Sequence, residues 1–222
     1  MLLYACLALL LAYSPRGSLP AIEVAAYFFS PCFPTAVGTA WHYRLSNDTD
    51  SEFRIASARR VGDATAVDIE LVIPIGDKFR PAGGRQASGR LEVSAAGVRE
   101  AREFPGNSAN DRPVPLLRLP FMHCDAWTAD TDFPLLGGWV VPKGPPTSRY
   151  HFEFVATGWE WVTVPAGTFL ALRIESVSSV AGAPPYPQVR WFCPGVGIVR
   201  WERGQGRRGP SVWDLIAFRL GK

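Results

Sequence analysis

From residue 50 onward the chain alternates apolar and polar residues with a period of two. Val67, Ile69, Leu71 and Ile73 fall on one face of a stretch whose other face carries Asp68 and Glu70. Leu91 and Val93 alternate with Arg90, Glu92 and Ser94, and Phe152 and Phe154 flank Glu153. Trp159 and Trp161 flank Glu160, while Leu172 and Ile174 alternate with Arg173 and Glu175. Side chains of successive strand residues point to opposite faces, so each of these runs predicts a half-buried strand. The run from Val212 to Leu220 is apolar on both faces and predicts a strand that is central or covered on both sides. Beyond the N-terminal region, no stretch of a dozen residues has clean helical spacing.

Turn chemistry agrees with this pattern. Pro165-Ala166-Gly167-Thr168 separates two apolar runs. Proline pre-sets φ for the first turn position and glycine accepts the positive φ that closes a short hairpin. Cys193-Pro194-Gly195-Val196-Gly197 predicts a type II turn followed by a bulge or a close backbone approach at Gly197. Pro81 to Gly84, Pro105 to Pro115 and Pro142 to Pro146 predict loops. Strands joined by successive hairpins need no crossover helices. The expected fold is therefore mostly β: a single antiparallel, strongly curved sheet, as a meander, an open half-barrel or a partly closed barrel.

Composition narrows the class. The 222 residues are 47% hydrophobic and 19% charged, a globular profile with room for one core. The net charge of +3 is small and interleaved with acids, which excludes the concentrated basic face of a nucleic-acid binder.

The N-terminus reads as an address. Leu2 to Ala12 is an unbroken apolar run, too short to span a bilayer and as long as a signal-peptide core. Val24-Ala25-Ala26 supplies small residues for cleavage, so residues 1–26 are expected to leave and 27–222 to form one β-domain beginning at Tyr27. No Lys or Arg precedes the apolar run, which keeps a buried N-terminal element of a cytoplasmic protein as the alternative. Leu3-Tyr4-Ala5-Cys6 partly resembles a lipid-attachment box, and such an anchor is the one membrane contact expected. Without Cys6, the thiols Cys32, Cys124 and Cys193 are odd in number and lack zinc-site spacing, so ordinary buried thiols are expected.

Three segments in order carry a resemblance. They are Phe33-Pro34-Thr35-Ala36-Val37-Gly38-Thr39-Ala40-Trp41-His42-Tyr43, Val162 to Phe169, and Trp191-Phe192-Cys193-Pro194-Gly195-Val196-Gly197-Ile198-Val199. Together they resemble a broad group of bacterial exported proteins and lipoproteins with no established catalytic residues. The group opens on Phe-Pro-x-x-x-Gly-x-x-Trp-x-Tyr and later carries a Val-Pro-Ala-Gly-x-Phe hairpin and a Pro-Gly-Val-Gly turn. The resemblance implies an antiparallel half-barrel distantly similar to lipoprotein carriers, and it supplies no catalytic residues. Phe192 and Cys193 depart from its usual residues.

Candidate chemistry is sparse. His123-Cys124-Asp125 places a base, a thiol and a carboxylate together, yet neighbours on a strand point apart. Asp130, Asp132, Glu153 and Glu160 lie among aromatics, as on any half-exposed strand. No catalytic residue, metal ligand or cofactor is assigned. Two similar frames, Pro34 with Trp41 and Pro120 with Trp127, form an internal echo attributed to chance. The eight tryptophans are the distinctive feature. Most are expected to fill the core, and Trp41, Trp127, Trp159, Trp161 and Trp191 are the candidates for a groove that takes a lipid or another apolar small molecule. The expected function is a non-enzymatic extracytoplasmic β-domain that binds an apolar ligand. The alternatives are a hydrolase with its site in the concave face and a purely structural interaction module.

Overall fold

The computed structural model describes residues 32–46, 49–75, 78–81, 87–101, 113–119, 124–131, 149–206 and 209–222. The expected leader, His123, Asp132 and the loops at 82–84, 105–112 and 142–146 lie outside these residues.

Thirteen strands are described. They are β1 (Ala40–Leu45), β2 (Asp50–Val61), β3 (Ala64–Ile75), β4 (Lys78–Pro81), β5 (Ala87–Ser94), β6 (Gly97–Ala101) and β7 (Val114–Arg118), then β8 (Asp125–Thr131), β9 (Tyr150–Val164), β10 (Gly167–Val180), β11 (Tyr186–Cys193), β12 (Gly197–Gly206) and β13 (Gly209–Arg219). The loop expected to end at Pro115 stops sooner, because β7 starts at Val114.

All pairings are antiparallel, and twelve strands form one continuous path, β7-β6-β5-β3-β2-β1-β13-β12-β11-β10-β9-β8, with β4 added beside β3. The sheet curls into a nearly closed barrel, at the closed end of the range expected from the alternation. Two meanders run outward from a shared centre where the first strand meets the last, Trp41 opposite Phe218 and Tyr43 opposite Leu215. The gap in the wall falls between β7 and β8, neighbours in sequence that share no backbone ladder. Among the described residues the Trp127 indole crosses it, donating to the Pro115 carbonyl at 2.8 Å.

Proline explains part of this seam. The N and O of one strand residue point to the same side. Pro115 turns its carbonyl to β8, so its missing N–H takes nothing from the ladder with β6. A register shift opposite Val98 and Arg99 follows, and it brings the consecutive Leu116 and Leu117 to the interior.

Both turns anticipated from sequence are present. Val164 pairs with Gly167 across Pro165-Ala166, with Gly167 at φ 141°. Cys193 O accepts from Val196 N at 3.1 Å with Gly195 at φ 74°, as a type II turn requires. The first hairpin also reaches across the sheet, since Ala166 N donates to Leu215 O on β13 at 3.0 Å.

Candidate functional site

The barrel interior divides along its axis. Toward the end that holds the β5–β6, β9–β10 and β11–β12 turns, the inward residues are apolar. Phe33, just ahead of β1, lies there against Trp41 with ring centroids 5.2 Å apart and against Phe192 at 6.3 Å. Its neighbour Cys32 ties two turns together across this end. The Cys32 thiol donates to Ser94 O at 3.7 Å, and its carbonyl accepts from Gly195 N at 3.4 Å. Trp41 Nε1 donates to Val196 O at 2.5 Å and Tyr43 to Ile198 O at 2.6 Å, so the aromatic lining is fixed by its polar tips. Burial raises the Tyr43 hydroxyl above its ordinary range, and it stays a neutral donor.

These side chains surround a cavity of about 100 Å³, walled by aromatic and aliphatic groups from β1 to β7 on one side and β10 to β13 on the other. Trp201 and Trp213 form its floor with centroids 5.7 Å apart. One lining residue is charged. Arg190 on β11 lies opposite Trp201 on β12 and points inward beside it.

Beyond Trp201 the interior becomes polar. Ser51, Glu100, Thr131, Ser176, Ser178, Gln188, Arg190 and Arg203 are all buried. Arg190 donates to Ser176 Oγ at 3.3 Å and to Gln188 Oε1 at 3.0 Å. Gln188 Oε1 also accepts from Trp201 Nε1 at 3.2 Å. Arg203, opposite Gln188 on the same inward face, is only 3% exposed. The guanidinium carbons of Arg190 and Arg203 stand 5.0 Å and 4.8 Å from the Trp201 ring, so the indole is bracketed by two cations. Burial pushes the Arg190 guanidinium down to about 10, with Glu100 opposing the shift and Arg203 adding to it. Burial lowers Arg203 as well, opposed by a hydrogen bond with Tyr186.

The five tryptophans chosen from sequence are spread over both faces. Trp41 lines the cavity. Trp127 is buried and spans the seam, away from the lining side chains. Trp191 faces outward, bonded to Glu160 and held between the guanidinium carbons of Arg173 and Arg200 at 5.9 and 5.7 Å. Trp159 is half-buried and Trp161 is 47% exposed on the far arm of β9. Sequence reasoning missed Trp201, Trp213, Arg190 and Arg203. Trp201 and Trp213 follow ordinary alternation, with Arg200, Glu202 and Asp214 on the other face, whereas β11 is inverted: the apolar Val189 and Trp191 face out, while Gln188 and Arg190 face in.

Elsewhere the candidate chemistry does not converge. Cys124 is exposed with φ 60°, and Asp130 pairs with His151 at 3.0 Å on the outer surface. Among the described residues no group of three His, Cys, Asp or Glu side chains is placed to hold a metal ion.

No protein-family model and no curated protein matches the chain. Solved structures of similar layout include a candidate exported protein of Bacteroides fragilis with a YmcC-like fold, at 14% identity and a TM-score of 0.47 over 86% of this chain and 99% of that one. A candidate lipoprotein of Parabacteroides distasonis is similar at 13% identity and a TM-score of 0.46, with the same shares covered. The hypothetical lipoprotein YmcC of Escherichia coli is similar at 7% identity and a TM-score of 0.36 over 92% of this chain and 98% of that one.

Proposed function

We propose that this chain is an exported, non-enzymatic β-domain that holds an apolar or amphiphilic small molecule inside its barrel. The observation that carries the reading is the cavity of about 100 Å³ walled by Phe33, Trp41, Phe192, Trp201 and Trp213. Interiors of this fold are ordinarily filled by side chains, and an apolar space this large favours an apolar guest over water. Two or three convergent polar groups at one end of an apolar chamber are the usual composition of a small-molecule site. Export rests on the apolar run Leu2 to Ala12 and the small residues before Tyr27.

Native mass spectrometry of the protein purified from its own host tests the binding reading. The expected result is an added mass that organic extraction removes. A bare spectrum, joined to unchanged tryptophan fluorescence on titration with 1-decanol, overturns it. N-terminal sequencing of the mature protein tests export, with Tyr27 as the expected first residue.

A further inference from the structure

Among the described residues that wall the cavity, one side chain is charged, Arg190 on β11. The other polar groups of the wall are engaged or shut away. Trp41 Nε1 and the Tyr43 hydroxyl donate to Val196 O and Ile198 O, and Trp201 Nε1 donates to Gln188. Trp213 Nε1 is buried out of reach of any guest. Arg190 differs. Ser176 Oγ and Gln188 Oε1 take one N–H from each of its terminal nitrogens, at 3.3 and 3.0 Å. Those two bonds fix the plane of the guanidinium and leave its Nε–H, which is not sealed as the Arg203 Nε is. Arg190 is 6% exposed, and because its side chain points into the barrel, that surface opens onto the cavity it lines. The charge around it is unbalanced as well. Arg190 and Arg203 are inside, with Glu100 as the one buried carboxylate among the described inward residues. Glu100 attracts the Arg190 charge and Arg203 repels it. A positive charge is left over, and a buried charge is costly until it is matched.

Resting on the binding reading above, we propose that the guest is a compact monoanion, a carboxylate on an apolar body, held inside the cavity itself. One carboxylate oxygen accepts from Arg190, and the body lies among Phe33, Trp41, Phe192 and Trp213. The space sets the size. A water needs about 10–15 Å³ of it and is close to a methylene in bulk, so the cavity holds roughly seven to ten non-hydrogen atoms. A medium-chain or single-ring carboxylate fits, and a longer chain must leave its far end outside. A phosphate head alone would take up roughly half of that room. A neutral alcohol would fill the same space without matching the charge on Arg190, and a cation would add to it. A hydrogen bond to an ionised acceptor is about twice as strong as one between neutral groups, which gives the carboxylate its advantage.

The test is a titration of the delipidated full chain at pH 8 with octanoate, 1-octanol and octylammonium, followed by tryptophan fluorescence. Octanoate is expected to bind about ten-fold more tightly than octanol, and octylammonium more weakly than octanol. Arg190→Met keeps the length of the side chain and removes its charge, so the preference for the anion should fall to about one-fold. Arg190→Lys should keep the order of the three probes. An anion preference that survives undiminished in Arg190→Met would take the contact away from Arg190. Should neither variant fold, the wild-type order still decides, because octylammonium binding as tightly as octanoate would contradict a cationic wall. Octanol binding as tightly as octanoate would overturn the anionic guest while leaving the apolar cavity in place. No binding of any probe would remove both.

Discussion

The Trp127 indole on β8 donates to the Pro115 carbonyl on β7 at 2.8 Å, and this contact joins the two end strands of the twelve-strand path. Trp127→Phe keeps a ring stacked on Phe154, whose centroid lies 5.2 Å away, and removes the donor together with a few buried ring atoms of the indole. The expected loss is about 1 kcal/mol, or roughly 2–4 °C in Tm for a domain of this size. Amide exchange should rise in β7 and β8 and stay unchanged in β1 and β13. A uniform rise across all strands would show that the contact does not hold the seam.

Gly197 is a position where a side chain has nowhere to go. A Cβ there would stand 3.0 Å from the Phe33 ring and 3.3 Å from Trp41 Nε1, at φ 106°. Gly62, at φ 60°, meets nothing within 4 Å. Gly62→Ala should cost about 1 kcal/mol from the left-handed backbone alone. Gly197→Ala should cost at least twice that, because it also displaces the strap across the barrel end. Urea denaturation of the two variants side by side checks the ratio.

Asp68 makes stability depend on pH. Burial alone would raise its carboxyl, but hydrogen bonds from Arg90 at 2.7 Å and Ser57 at 2.5 Å outweigh burial and hold it below the ordinary carboxylate range. A depressed folded-state value means the stabilisation is present above the unfolded value and is lost as pH falls through the folded one. Asp68→Asn should therefore cost about 1–2 kcal/mol at pH 7 and progressively less as pH falls from the ordinary carboxylate range, near 4, toward 2. Urea melts across that range measure this, and an undiminished gap in acid would rule out the charge as its source.

The thiols should react in a fixed order. Cys124 is exposed, Cys32 is half-buried and Cys193 is buried. Burial pushes the Cys32 thiol up, so little thiolate is present near neutrality. A pulse of iodoacetamide at pH 8, read by peptide mass spectrometry, should label Cys124 first and Cys32 at least ten-fold more slowly. Cys193 should react only in urea. Equal rates at Cys32 and Cys124 would contradict the strap geometry.

The sequence announces the sheet far more plainly than the site. Val67, Ile69 and Leu71 alternate cleanly and are buried, and so do Phe152 and Phe154 on β9. Local periodicity suffices there because hydrophobic burial and strand geometry agree. It fails beyond a bulge. The register shift beside Thr157 separates the alternation of Phe152 and Phe154 from that of Trp159 and Trp161, so equal spacing no longer means an equal environment.

It fails again at Arg190. A strand reading Gln188-Val189-Arg190-Trp191 looks as though its valine and tryptophan should face the core. Instead Trp191 lies under Arg173 and Arg200 on the outer surface, and Arg190 is inside. Only the curvature of the whole sheet and the positions of Ser176, Glu100 and Trp201 on other strands make that inversion favourable. No window on β11 contains those partners. Departures of this kind from the local rules are where binding sites concentrate.

The seam has a consequence for traffic. Spreading an adjacent pair along the twelve-strand path means stripping a run of main-chain hydrogen bonds, whereas among the described residues the end strands β7 and β8 are joined by the hydrogen bond of the Trp127 indole and by no ladder. A guest too bulky to slip past Phe33 would thus meet its lowest barrier at this slit, whose sill is Leu116 and Leu117. The rate at which cargo is exchanged would then be governed by Trp127 on the rim, independently of how tightly the floor of the chamber grips.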